Sequence, residues 1–271
     1  MIKRLAMILG FTFAASDGAA ADRYLEREIL CPVCGTAFYA KLDYSAELGE
    51  MRTDLKPVGA VSDPWLLPDC PKCGFVSYKL PVPAAELAKC KAVVASGDYM
   101  NSLGRSTYFR VGLLYEKLGK PAYSIAMSFL KASWQEEQEA PKLKEDQELS
   151  LKYFTACAQS CGTEEKENSQ LLMGELLRRL GRFETARAHL AGLQGTKGFQ
   201  KNFFSDIVEY QLARCARMDA APYEMEDVRD FKRSFPEKIK VRLRRLLKYL
   251  SDLGEKTAEN SPQGRKAAFP E

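Results

Sequence analysis

The chain of 271 residues carries a single histidine and two tryptophans, and it has no apolar run approaching the ~20 residues of a membrane-spanning helix. One histidine excludes a histidine-rich metal centre. No spacing places a cysteine or carboxylate beside His189, which reads as a surface or groove side chain. A phosphate-binding loop is also missing: Gly192, Gly195 and Gly198 surround Thr196-Lys197 without the required spacing, and no strand precedes them. Charge is close to balanced, 40 Lys and Arg against 36 Asp and Glu for a net +4, which by itself argues neither for nor against nucleic acid; no specific nucleic-acid partner is expected. The pairs Glu136-Glu137 and Glu164-Glu165 read as solvated helix ends and turns rather than as a general acid and base. No recognisable catalytic set is left. The expectation is a protein that is not an enzyme, with an enzyme of unfamiliar type as the alternative.

What the chain does have is cysteine, eight in all. Four stand in two Cys-Pro-x-Cys-Gly knuckles, Cys31-Pro32-Val33-Cys34-Gly35 and Cys70-Pro71-Lys72-Cys73-Gly74. Each knuckle bends so that two sulfurs face one ion at about 2.3 Å, with proline stiffening the bend and glycine free to take a positive φ. Together Cys31, Cys34, Cys70 and Cys73 supply the closed tetrathiolate shell of a structural Zn²⁺, and Fe is the alternative because it accepts the same ligands. A thioredoxin-like redox pair would open a helix. Here each pair is followed by Gly and a short aromatic segment, Thr36 to Tyr39 and Phe75 to Tyr78, which read as the strands of a ribbon. Cys157 and Cys161 share a helix face and, like Cys90 and Cys215, read as small core residues, with a disulfide among the four as the exception if the protein is exported.

Export is itself an expectation. Lys3 and Arg4 form a basic start, Leu5 to Ala15 an apolar stretch of signal-peptide length, and Ala19-Ala20-Ala21 a small-residue site before Asp22. Residues 1–21 therefore read as a signal peptide cleaved after Ala21, leaving a mature chain that is periplasmic or extracellular with no transmembrane segment. The alternative is a cytoplasmic chain whose N-terminus is an apolar helix.

Residues 22–82, rich in Pro, Gly and short β-favouring runs, form the metal domain. The thirty-five residues between Cys34 and Cys70 make a long arm whose main charged positions are Arg52, Asp54, Lys56 and Asp63. From Pro83 the periodicity turns helical, and residues 83–221 carry a repeat signature of the tetratricopeptide (TPR) kind. In LLMGELLRRLGRFETARAHLAGL, Gly174, Leu177, Leu180-Gly181, Phe183, Ala186 and Leu190 occupy that repeat's small and large packing positions, and Gly112, Tyr115, Leu118-Gly119, Ala126 and Leu130 form a weaker copy. Small residues let antiparallel helices approach closely, and each Leu-Gly closes a first helix. Leu149 to Cys161 and Phe203 to Met218 supply further helices. A first helix lines the groove of such a stack, so Glu116, Lys117, Arg178 and Arg179 are the candidate contacts for an acidic segment or a C-terminal carboxylate of a protein or peptide partner. Residues 222–253 contain a basic amphipathic helix opened by Pro236, with Ile239, Leu243, Leu246, Leu247, Leu250 and Leu253 on one face and Lys240, Arg244, Arg245 and Lys248 largely off it. Capping of the stack is its expected role, and docking on anionic lipid or nucleic acid the alternative. Residues 254–271 read as a disordered tail.

The order of CPxCG, an arm containing Arg52-Thr53-Asp54, CPxCGF at Cys70 to Phe75 and TPR-like helices resembles a bacterial family known as domain of unknown function 2225. That resemblance spans about Leu30 to Met218 and implies a zinc ribbon joined to a helical repeat, with no established activity. The stretch DPWLLPDCPKCG resembles the approach to the second knuckle of rubredoxins, where four thiolates hold iron for electron transfer, although the arm is longer and the helical array foreign to them. The fold class expected from all of this is mainly α with a small β metal domain, a zinc ribbon followed by TPR-like antiparallel hairpins.

Overall fold

Residues on either side of the first knuckle pair into an antiparallel hairpin, β1 (Tyr24–Leu30) and β2 (Ala37–Asp43), running in register from Tyr24 opposite Asp43 to Leu30 opposite Ala37. The structure is a computed structural model that describes residues 24–43, 49–58, 66–79, 81–200, 203–233 and, within 236–250, residues 236–237, 239–240, 243–244, 246–247 and 249–250. The expected signal peptide, the expected tail and Asp63 lie outside these. The arm contributes a two-residue pair, β3 (Glu50–Met51) with β4 (Pro57–Val58). Only the first aromatic segment becomes a regular strand. After the second knuckle a single bridge, Asp69 to Val76, replaces the expected strand, because Phe75 and Val76 are drawn fully into the core between the knuckle and the helices.

The rest of the described chain is mainly helical: α1 (Ala84–Val94), α2 (Gly97–Asn101), α3 (Thr107–Leu118), α4 (Ala122–Gln135), α5 (Ala140–Ser160), α6 (Thr163–Arg179), α7 (Phe183–Gln194), α8 (Phe203–Ala216) and α9 (Met225–Lys232). From α3 to α8 each helix packs chiefly on its neighbour in the chain. The glycines behave as the spacing predicts. Gly119 and Gly181, at φ 68° and 73°, turn the chain where α3 and α6 end. A Cβ on Gly112 would sit 2.7 Å from the Phe129 ring and one on Gly174 2.4 Å from Leu190, so α3 on α4 and α6 on α7 approach as closely as they do only because these positions lack side chains. Phe129, Leu130, Phe154, Leu176 and Leu190 are completely or almost completely buried there, each worth about 1.5 to 3 kcal/mol of transfer free energy.

Polar groups enter this core in two networks that the sequence hides. In the first, the arm reaches the ends of α4 and α6. Arg52 holds Asp54 and, at 2.7 Å, Glu137; Lys56 also meets Glu137 at 2.7 Å; Arg179 lies 3.4 Å from Asp54 and 3.7 Å from Glu137. Glu137 is thus an internal ion-pair partner rather than a solvated helix end. Leu55, at φ 66°, occupies the left-handed region that a branched side chain enters at a cost, and the surrounding ion pairs hold the turn there.

In the second network Arg105 bridges Glu136 at 2.8 Å and Asp146 at 2.7 Å, and Glu136 accepts the amide of Ser106 at 2.5 Å. Glu136 is 4 % exposed and Asp146 is fully buried, so Glu136 also departs from the solvated reading. Glu164 and Glu165 do lie exposed, as expected. Burial, with the Glu136 charge alongside, pushes Asp146 up to about 9. Burial acts the same way on Glu136, but Arg105 and the Ser106 amide outweigh it and hold that carboxyl below its ordinary value. Asp146 therefore keeps its proton at neutral pH while an unfolded chain would release it. Between pH about 4 and about 9 the unfolded state gains and the folded state does not, so this group's contribution to stability declines with rising pH. Asp146→Asn, which supplies a neutral group of the same shape, should remove that decline. The melting-temperature difference between variant and wild type is expected to grow in favour of the variant from pH 5 to pH 9, measured by calorimetry.

Cys157 and Cys161, at the end of α5, are joined by a disulfide, the exception foreseen for an exported chain; Cys90 and Cys215 are free and buried, as core residues should be. The expected cap on the stack is not formed by the described residues of the last segment. Ile239, Leu243, Leu246, Leu247 and Leu250 are helical but 45 to 65 % exposed.

Candidate metal centre

Both knuckles fold by the same local rule. In the first, the Gly35 amide bonds back to the Cys31 carbonyl and the Cys31 amide to Thr36; in the second, Gly74 bonds to Cys70 and Cys70 to Phe75. The glycines close each bend at φ 73° and 70°. The outcome brings the four predicted cysteines together. Cys31 Sγ lies 3.7 Å from Cys73 Sγ, Cys34 Sγ 3.5 Å from Cys70 Sγ, and all four sulfurs fall within 4.8 Å of one another. Sulfurs placed tetrahedrally at about 2.3 Å from a zinc ion stand about 3.8 Å apart, close to the 3.7 and 3.5 Å of the Cys31–Cys73 and Cys34–Cys70 pairs. These four residues form a site able to hold a metal.

The electrostatics agree with that reading. Burial pushes the Cys31 and Cys73 thiols up, whereas contact with the Thr36 hydroxyl, 3.3 Å from Cys34 Sγ, and with the Thr36 amide lowers Cys34 to about 6. Several thiolates crowded into one partly buried site repel one another, and a cation at their centre removes that opposition. Metal uptake here must release protons, so acid competes with the ion.

The centre is built into the helical part rather than beside it. Cys31, Cys70, Phe75, Cys90, Val94, Tyr99 and Leu114 form one buried cluster. The Gly74 carbonyl accepts the Tyr99 hydroxyl at 3.0 Å and Arg110 Nη1 at 2.9 Å, while Arg110 Nη2 reaches Asp69 at 2.9 Å. A Cβ on Gly74 would also strike Leu103, 2.2 Å away. Tyr99, Arg110 and Asp69 are thus the residues that sequence reasoning missed. Thr36 had a signal, its place one residue after the knuckle glycine; Tyr99 and Arg110 had none, since helical spacing makes them ordinary core and surface positions. Among the described residues a second grouping, Cys157, Cys161 and Glu165, offers no thiolate because its cysteines are disulfide-bonded. His189 bonds through Nε2 to the Gln170 carbonyl at 2.8 Å and belongs to neither cysteine grouping.

The expected partner contacts divide. Lys117 is half-exposed, 4.0 Å from Asp98, and Glu116 takes the Tyr153 hydroxyl; both line a concavity of about 380 Å³ between α2, α3 and α5. Arg178 and Arg179 are not on a groove surface. Arg178 is 1 % exposed, with its guanidinium bonded to Glu175 at 2.6 and 3.1 Å and to the Asp219 and Ala221 carbonyls at 2.7 and 2.9 Å. Arg179 is turned into the Asp54–Glu137 network. The basic strip expected along the groove is consumed in anchoring the arm and the loop before α9. A larger cavity of about 630 Å³ opens between the arm, α6, α8 and α9, lined mainly by Leu171, Leu172, Phe203, Phe204, Ile207 and Met225.

No protein-family model matches the chain, and no curated protein or solved structure matches it either.

Proposed function

We propose that the protein is an exported, non-enzymatic scaffold in which a tetrathiolate Zn²⁺ fastens the ribbon onto a TPR-like helical stack, and that the stack holds a protein or peptide partner. The observation that carries this reading is the sulfur cluster: four cysteines within 4.8 Å of one another, inside a core shared with α1, α2 and α3. Four sulfurs fill a tetrahedral shell and leave no open position for substrate, so such an ion stabilises structure. The close helix pairs at Gly112 and Gly174 support the repeat reading. The apolar cavity beside the arm supports a bound segment, whose side chains would fill it as anchors. The Cys157–Cys161 bond supports an oxidising compartment.

Elemental analysis tests the centre directly. Protein made without added metal should carry near-stoichiometric zinc; iron with a visible charge-transfer band moves the reading to a rubredoxin-like electron carrier, and disulfides among Cys31, Cys34, Cys70 and Cys73 end both. The native chain should begin at Asp22. Partner capture from the cell envelope with wild type and with Phe204→Ser tests the cavity: a partner retained equally by both removes it as the binding place.

A further inference from the structure

The segment around residues 236–250 combines two properties that the scaffold reading leaves unused. Its described residues are helical, and their apolar side chains face water: Ile239 is 45 % exposed, Leu243 and Leu246 54 %, Leu247 65 %, Tyr249 60 % and Leu250 53 %. Spacings of four, three and four from Ile239 through Leu243 and Leu246 to Leu250 place them on one helical face, and Leu247 and Tyr249 widen it. The described basic residues Lys240 and Arg244 are exposed as well. Charge is the second property. Six basic residues, Lys238, Lys240, Arg242, Arg244, Arg245 and Lys248, stand against the single acid Glu237, a balance of +5. The whole chain carries only +4, so the molecule's positive charge is concentrated in this segment.

We propose that this segment is a membrane-surface anchor that lies in the plane of an anionic lipid bilayer, its leucine face sunk among the acyl chains and its lysines and arginines against the headgroups. An occupant must satisfy both properties at once. A second copy of the same helix would cover the leucines but set like charges against like, and the apolar seam is both too wide and too short for a coiled coil, which needs three or more heptads. Nucleic acid would neutralise the charge and leave the apolar face in water. An anionic lipid surface meets both requirements, and a tyrosine on the rim of the face suits the interface between headgroup and chain. No helix of the described residues is long and apolar enough to cross a membrane, so the mode is lying on the surface.

The test uses the full chain with vesicles of phosphatidylcholine alone and of phosphatidylcholine with 30 % phosphatidylglycerol. Co-sedimentation should show binding to the anionic vesicles at least tenfold tighter than to neutral ones, and weakened by 0.5 M NaCl. Leu243→Asp with Leu247→Asp should abolish it, Lys240→Glu with Arg244→Glu should reduce it at least tenfold, and neither pair should lower the melting temperature, because all four side chains are exposed. Leu247→Trp should show a blue-shifted emission on anionic vesicles only, which separates insertion from electrostatic adsorption. Equal binding to both vesicle types overturns the proposal. So does tighter binding to duplex DNA than to anionic vesicles, or a dimer in light scattering that Leu243→Asp with Leu247→Asp dissolves while the wild type ignores vesicles.

Discussion

With an ion held at the cluster as proposed, Cys70→Ser should release it and loosen far more than the ribbon. Removing one of four sulfurs breaks the closed shell, and metal affinity is expected to fall by more than the roughly 10- to 100-fold that loss of an outer-shell partner causes. Structural zinc contributes on the order of 10 kcal/mol to small domains, as much as the whole stability of a typical one. The consequence here reaches the helices. Cys31 and Cys70 are each 1 % exposed in the same cluster as Tyr99 and Leu114, and the knuckle carbonyl of Gly74 is what Tyr99 and Arg110 bond to. When the knuckle opens, two buried donors lose their acceptor. Amide hydrogen exchange should therefore accelerate through α1 to α3 in Cys70→Ser, while α6 to α8, whose core is separate, keep most of their protection. A chelator on wild type should reproduce the pattern, more readily at pH 5 than at pH 8, because acid returns protons to the buried thiols. Exchange confined to residues 24–79 would instead make the ribbon an independent appendage.

The knuckles were legible because their chemistry is local: spacing, proline and glycine decide each bend within five residues, and four sulfurs then need only one ion to meet. The Leu-Gly closures at Gly119 and Gly181 and the close approaches at Gly112 and Gly174 were legible for the same reason, since each requirement is imposed on a single residue by its own turn or helix. What failed was the reading of charge. Glu136, Glu137, Arg178 and Arg179 look like solvated helix ends because charged residues usually are. Apart from Glu175, three residues before Arg178, their partners Arg105, Arg52, Asp54 and the carbonyls of Asp219 and Ala221 lie 31 to 125 residues away in the chain, and no local pattern announces that they converge. The final helix erred in the opposite direction: an amphipathic pattern says that a face will be covered and is silent about what covers it.

Arg178→Ala is the sharpest consequence of that difference. A solvated groove arginine would change stability by less than about 0.5 kcal/mol when truncated. Buried Arg178 instead ties two pieces of chain to α6, the arm and the loop before α9. Its Nε and Nη2 hold Glu175, which also accepts the Thr53 hydroxyl at 2.9 Å, and its Nη1 holds the carbonyls of Asp219 and Ala221. Thr53 in turn donates its amide to Tyr223 at 2.8 Å, so the arm and the loop before α9 close over the same pair. Truncation leaves a fully buried carboxylate with only the Thr53 hydroxyl and removes the Arg178 donor from two carbonyls, a loss of about 3 to 5 kcal/mol, a large fraction of the 5 to 15 kcal/mol available to a typical domain. The melting temperature should fall by roughly 10 °C or more, against a few degrees at most for Lys117→Ala on the surface. Replacing the pair together, Arg178→Met with Glu175→Leu, should recover part of the loss, because the uncompensated charge disappears with its partner. A single Arg178→Ala variant as stable as wild type would return this residue to the surface and restore the basic groove.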